Sequence, residues 1–185
     1  MSEIIVVTGL PRSGTSLMMQ VLNKAELPIL QDGIRESDIS NPQGYYELED
    51  VKNIVADNSF LDNAGGKVVK IVAPLPIYMK PELKYKMVFM RRDIDEILQS
   101  QEKMLLKDQT SEREKFRTIY EFHLKKTYRF FQEHNIPFID INYNELMAKP
   151  IGTLQKVVDF LELDADAESL SGVVNPELYR NRNEG

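Results

Sequence analysis

The start of the chain carries the residues best suited to chemistry: Gly9 and Gly14 bound a loop holding Pro11, Arg12 and Ser13, and Thr15 and Ser16 follow at once. Glycines take up backbone conformations closed to other residues, and hydroxyls beside a helix start meet its unpaired N–H groups. With the helix dipole, these features suit an anion. The spacing is the Gly-x4-Gly of a nucleotide-binding loop. Its usual Gly-Lys-Ser/Thr continuation is replaced by Gly14-Thr15-Ser16, so the lysine that grips phosphate is missing. Arg12 instead places a planar fork of donors inside the loop, where it can grip a phosphate or sulfonate oxygen from another angle. The plainer alternative is a tight turn with a solvated arginine. The coincidence of two glycines, one arginine and two hydroxyls behind an apolar strand favours the anion.

A second constellation spans Phe89 to Ser100. Arg92 is placed at the carboxyl end of a strand, and Ser100 falls about two turns into the next helix. Helical residues recur every ~3.6 positions, so Ser100 returns to the azimuth of the helix start. Cation and hydroxyl then converge on one phosphate; taken alone, the segment reads instead as Arg91 and Arg92 solvated or paired with Asp93, Asp95 or Glu96. As proton carriers the chain offers His123, which titrates near neutrality but lies on an aromatic-rich stripe suited to a core histidine, together with Asp32 and Glu36.

The elements that must position these groups follow from periodicity. Ile4 to Val7 is an unbroken apolar run, as in a strand covered on both faces of a parallel sheet. A helix over residues 15–24 follows, with Leu17, Met18, Val21 and Leu22 as its stripe. Residues 26–44 gather Pro, Gly, Asn and Asp and read as a long loop with a helical turn near Ile34, a length often functional. The pattern then predicts a helix over 47–61, strands over 67–73 and 86–90, and a helix capped by Asp93. Ser111 with Glu114 suggests a capping box opening a long helix to about residue 133. A strand over 137–141 and a helix starting at Pro150 complete the pattern, with a polar, loosely structured tail from about residue 167. Alternating strands and helices imply a single α/β domain over 1–185 with a mainly parallel sheet, whose ligands bind outside the strands' carboxyl ends.

Composition narrows the partners. The chain has 185 residues, no cysteine and two histidines, which excludes disulfides and a Cys nucleophile and disfavours a histidine metal site. A net charge of −6 argues against nucleic acid, so an anionic ligand must be gripped locally. Apolar runs are strand-sized, and Met1-Ser2-Glu3 leads straight into the first strand, so neither a membrane span nor a signal peptide is expected and the cytoplasm is the expected home.

Together the two anion-binding segments resemble the sulfotransferases that use 3′-phosphoadenosine-5′-phosphosulfate (PAPS). Pro11-Arg12-Ser13-Gly14-Thr15-Ser16 is similar to that family's 5′-phosphosulfate loop, and Arg92 with Ser100 repeats the spacing of its 3′-phosphate pair. Asn41-Pro42-Gln43-Gly44-Tyr45-Tyr46-Glu47 and Tyr143-Asn144-Glu145-Leu146 extend the resemblance, and Arg180 and Arg182 look like the family's terminal basic segment. The resemblance implies a P-loop-like three-layer fold. It also implies sulfuryl transfer, without a metal, to a hydroxyl or amine of a small-molecule acceptor. Lys70 matches a lysine that cytosolic members place in Lys-x-His, although Val72 stands at the histidine position. Glu47 is then the preferred base, because other branches of the family use a glutamate; His123 is the second candidate. Tyr45 and Tyr46 are candidates for stacking contacts or plain packing. Two rival readings remain: a small P-loop phosphotransferase using ATP and magnesium, and a nucleotide-binding module that has lost the reaction.

Overall fold

A computed structural model describes residues 2–34, 44–106 and 109–175. Among them, four parallel strands form one sheet in the order β2-β1-β3-β4, where β1 is Ile4–Gly9, β2 is Val68–Lys70, β3 is Tyr85–Arg91 and β4 is Phe138–Asn142. The sheet carries helices on both faces. Val7, Val88, Met90 and Ile141 pack against Met18, Met19 and Leu22 of α1 (Thr15–Lys24) and, further along the chain, against Leu146 of α5 (Tyr143–Ala148), Leu154 of α6 (Pro150–Leu161) and Leu170 of α7 (Ala167–Ser171). Val6, Met87 and Phe89 pack on the other face against Phe131 of the long helix α4 (Arg113–Glu133). This is the expected three-layer α/β architecture, and β1 is buried on both faces because both are covered. A smaller cluster of Leu10, Ala73, Ile97, Leu98 and Tyr120 joins α3 (Ile94–Leu105) and α4 beneath the strand ends.

Several boundaries differ from the sequence expectation. The helix expected over 47–61 is reduced to one turn, α2 (Glu49–Lys52), followed by a 3-10 turn over Ser59–Asn63. Polar side chains take other partners instead: the Asp57 carboxylate accepts locally from the Ser59 N–H at 2.9 Å, and Asn58 Nδ2 donates across the fold to the Tyr78 carbonyl at 3.0 Å. The strand expected over 67–73 narrows to three residues, although the Ile71 and Ala73 N–H groups still donate to Val7 and Gly9. The Ser111–Glu114 capping box does not form, because Ser111 lies inside a 3-10 turn over Thr110–Glu112 that leads into α4.

The polar tail expected from residue 167 begins with a helix. Asp166 caps it by accepting from the Ser169 N–H at 2.8 Å, and Ala167 and Leu170 enter the core. Ile34 is not helical, and the rest of that expected turn lies outside the described residues. Asp93 caps α3 as expected, accepting from the Asp95 and Glu96 N–H groups. No helix among the described residues is long and apolar enough to cross a membrane.

Candidate functional site

The loop between β1 and α1 needs its glycines. Gly9 has φ +144°, and a Cβ there would lie 2.4 Å from the Met90 carbonyl oxygen and 2.5 Å from Ser13 Oγ. Gly14 has φ +98°, and its Cβ would lie 2.5 Å from Cδ2 of Tyr143. Arg12 between them is also left-handed, at φ 67°. The loop closes through the Ser13 N–H, which donates to the Leu10 carbonyl at 3.2 Å. Among the described residues, no side chain caps the start of α1 and the fully buried Ser13 hydroxyl has no hydrogen-bond partner. An orphaned hydroxyl of that kind costs about 1–3 kcal/mol, which a bound anion can offset. The loop therefore fits a phosphate at the α1 N-terminus.

Register brings Lys70 to the same place. It pairs with Val7 across the β1–β2 ladder, two residues before Gly9. Its ammonium lies 3.4 Å from Ser16 Oγ and 3.3 Å from Glu47 Oε1, and it donates to the Tyr45 carbonyl. The Tyr45 ring centroid is 5.8 Å from Lys70 Nζ. The strand therefore delivers a buried cation, and the returning loop delivers a carboxylate, to the first turn of α1.

The second constellation divides differently from its spacing. Ser100 Oγ accepts from Arg12 Nε at 3.0 Å, and Arg12 Nη1 approaches Met104 Sδ at 3.6 Å. Arg92 Nε donates to Glu96 Oε2 at 2.9 Å and its Nη1 to the Arg12 carbonyl at 3.2 Å. Its guanidinium lies 4.5 Å from the centroid of the Tyr143 ring. Glu96 Oε1 accepts from Asn144 Nδ2 at 3.0 Å. Tyr143, Asn144 and Met104 carry no sequence signal for these roles, whereas Glu96 is among the carboxylates the sequence offers to Arg92. Arg91 turns to the opposite face and donates to the Tyr128 hydroxyl at 2.9 Å.

The remaining candidates separate. Thr15 is buried and Pro11 exposed at the loop. His123 is half-buried near the rings of Tyr120 and Phe122, with no hydrogen bond to Arg12, Lys70 or Glu47. Burial, helped by Lys126, holds its pKa below the usual imidazole value. Asp32 is spent on structure: it accepts from the Ile34 N–H at 2.9 Å and the Glu49 N–H at 2.5 Å, and these bonds hold its carboxyl below the usual range. Tyr46 packs at the α1-side core. Glu36, Asn41, Pro42, Gln43, Arg180 and Arg182 lie outside the described residues.

The model of the sulfotransferase family matches residues 84–167, which include Arg92, Glu96, Ser100 and Tyr143. No curated protein sequence matches the chain. Among solved structures, sulfotransferase STF9 from Mycobacterium avium superposes with a TM-score of 0.55 at 12% identity, covering 98% of this chain and 69% of that one. Mouse sulfotransferase SULT7A1, complexed with PAP, gives 0.56 at 15% identity, over 94% of this chain and 62% of that one. Sulfotransferase STF1 from Mycobacterium tuberculosis H37Rv gives 0.56 at 17% identity, over 93% and 71%. At these identities the likeness is one of fold.

Proposed function

We propose that the chain is a sulfotransferase, transferring a sulfuryl group from PAPS to a hydroxyl or amine of a small-molecule acceptor in the cytoplasm; the match of the sulfotransferase family model over residues 84–167 supports this reading. The observation that carries this reading is the uncapped start of α1, with the buried, unpartnered Ser13 hydroxyl beside it and the Lys70 ammonium 3.4 Å from Ser16 Oγ. SULT7A1 is complexed with PAP, and that product nucleotide is the candidate ligand for this loop.

PAPS supplies an activated sulfuryl group: the acceptor oxygen or nitrogen bonds to sulfur as the bond from sulfur to the 5′-phosphate oxygen breaks, and 3′-phosphoadenosine 5′-phosphate (PAP) leaves. The loop from Pro11 to Ser16 holds the 5′-phosphosulfate through its N–H groups and hydroxyls. Lys70, among those hydroxyls, neutralises charge developing on the leaving phosphate oxygen. Glu47, 3.3 Å from Lys70, accepts the acceptor's proton. It supplies the base that Val72, at the familiar histidine position, cannot. The corner between β3 and α3, with Arg92 and Ser100, holds the 3′-phosphate, and Arg180 and Arg182 are assigned to the nucleotide as well. No protein metal ligand takes part.

Calorimetry in metal-free buffer tests the assignment: PAP binds and ATP-magnesium does not. The reverse order would establish a phosphotransferase instead. Transfer of radiolabelled sulfate from PAPS to a panel of phenols, alcohols, sugars and amines then reads the chemistry. Glu47→Gln lowers turnover by about 10²–10⁴, the range for a lost general base. Undiminished turnover in that variant, with PAP binding intact, excludes Glu47 as the base.

A further inference from the structure

Glu47 sits on a segment with no secondary structure of its own, between Tyr46, which is left-handed at φ 51°, and the single turn of α2. A non-glycine residue at positive φ persists only where its surroundings hold it. From inside, Lys70 does so: its ammonium donates to the Tyr45 carbonyl and lies 3.3 Å from Glu47 Oε1. From outside, the holder is Asp32. Its N–H donates to the Glu47 carbonyl at 3.3 Å, and its carboxylate accepts from the Glu49 N–H at 2.5 Å and the Ile34 N–H at 2.9 Å. Leu48, at the N-cap of α2, has no side chain that can cap, so the carboxylate meeting the first N–H of that helix comes from Asp32. Register puts it there. Residues 28–30 run alongside β2: Ile29 bridges Val68 in parallel, the Val68 N–H donates to the Pro28 carbonyl and the Leu30 N–H to the Val68 carbonyl, both at 2.8 Å. Carried two residues on, this register sets Gln31 level with Lys70 and Asp32 one step beyond.

We infer that Asp32 is a positioning residue for the reaction: by pinning the backbone at Glu47 and at Glu49, it holds the Glu47 carboxylate at the Lys70 ammonium, where the acceptor's proton is taken. This rests on the PAPS reading above, with Glu47 as the base. Among the described residues the hydrogen bonds of Asp32 all go to backbone groups, so it acts on the chemistry through geometry alone. A base displaced by about 1 Å loses about a hundredfold in rate.

The test is a double-mutant cycle on the turnover of radiolabelled PAPS with the fastest acceptor of the panel above, water included, alongside calorimetry with PAP. Asp32→Ala folds and binds PAP as wild type does, because Asp32 is exposed and its N–H bond to the Glu47 carbonyl belongs to the backbone. Its kcat falls by roughly ten- to a hundredfold. In the Glu47→Gln background the same substitution changes kcat by less than about twofold, since the carboxylate it positions is gone. Asp32→Asn, which keeps an acceptor oxygen for the Glu49 N–H, recovers most of the lost kcat. An unchanged kcat in Asp32→Ala overturns the inference, and so does an equal fall in both backgrounds, the mark of a purely structural loss. An Asp32→Asn no better than Asp32→Ala overturns it as well, as does a wild type that binds PAP but passes sulfate to none of these acceptors. Undiminished turnover in Glu47→Gln removes the base, and the inference with it, while the PAPS reading stands. A wild type that binds no PAP brings down the PAPS reading itself.

Discussion

Replacing Glu96 with alanine removes the carboxylate from a corner with almost no water. Arg92 Nε at 2.9 Å and Asn144 Nδ2 at 3.0 Å both lose their acceptor, and the Arg92 guanidinium stays pinned between the Tyr143 ring and the Arg12 carbonyl. Breaking a buried pair from one side costs about 3–5 kcal/mol, because the remaining charge keeps its desolvation penalty and loses its compensation. In a chain of this length each kcal/mol lowers Tm by about 2–4 °C, so the expected fall is about 6–20 °C. Urea unfolding followed by circular dichroism measures the free energy directly. The double variant Arg92→Met/Glu96→Leu recovers most of the loss, since two apolar side chains of similar size need no partner. A Glu96→Ala loss below about 1 kcal/mol, the range of exposed ion pairs, would refute the reasoning. So would a double variant less stable than the single one.

Gly14→Ala forces a side chain onto φ +98° and against Tyr143, and lowers stability by about 1–3 kcal/mol in urea; the loss shrinks in a Tyr143→Ala background, where only the backbone strain remains. Tyr85 is 2% exposed and donates to the Lys80 carbonyl at 2.9 Å; burial first, then Glu82, pushes its phenol above the usual value near 10. The folded protein therefore keeps that proton more tightly than the unfolded chain, and stability is fully present below pH 10 and falls above it by about 1.4 kcal/mol per pH unit. Tyr85→Phe flattens this alkaline limb in denaturant curves measured from pH 9 to 11. His123 has the opposite sense: burial makes the folded imidazole a weaker base, so its contribution is present above pH 6.5 and is lost as pH falls below it, and His123→Gln flattens the acid limb. An imidazole titration by NMR at or above the ordinary value would contradict this.

The elements legible in the sequence are those whose signals are local. β1 is an apolar run, α1 starts at a glycine turn and ends at Lys24, α3 carries its Asp93 cap, and α6 begins at Pro150. Where expectation failed, tertiary bonds or short length intervened. Asn58 reaches the Tyr78 carbonyl and so interrupts an otherwise helical stretch. α5 has only six residues, too few for a periodic stripe, yet its cap was readable: Asn142 stands three residues before Glu145 and accepts its N–H at 3.0 Å.

The site divides along the same line. Arg92 and Glu96 are four residues apart across the start of α3, Arg92 just before its Asp93 cap and Glu96 in its first turn, so their contact is local in the sequence. Lys70 reaches Ser16 only because β2 lies beside β1 with Val7 opposite Lys70, and neither strand order nor register is written in either segment. Arg12 and Ser100 are 88 residues apart and meet only because β3, on the other side of β1, starts α3 level with the loop. Sequence spacing thus selects the residues that gather at the β1–α1 turn. The order of the strands assigns them partners, Arg12 with Ser100 and Lys70 with Ser16.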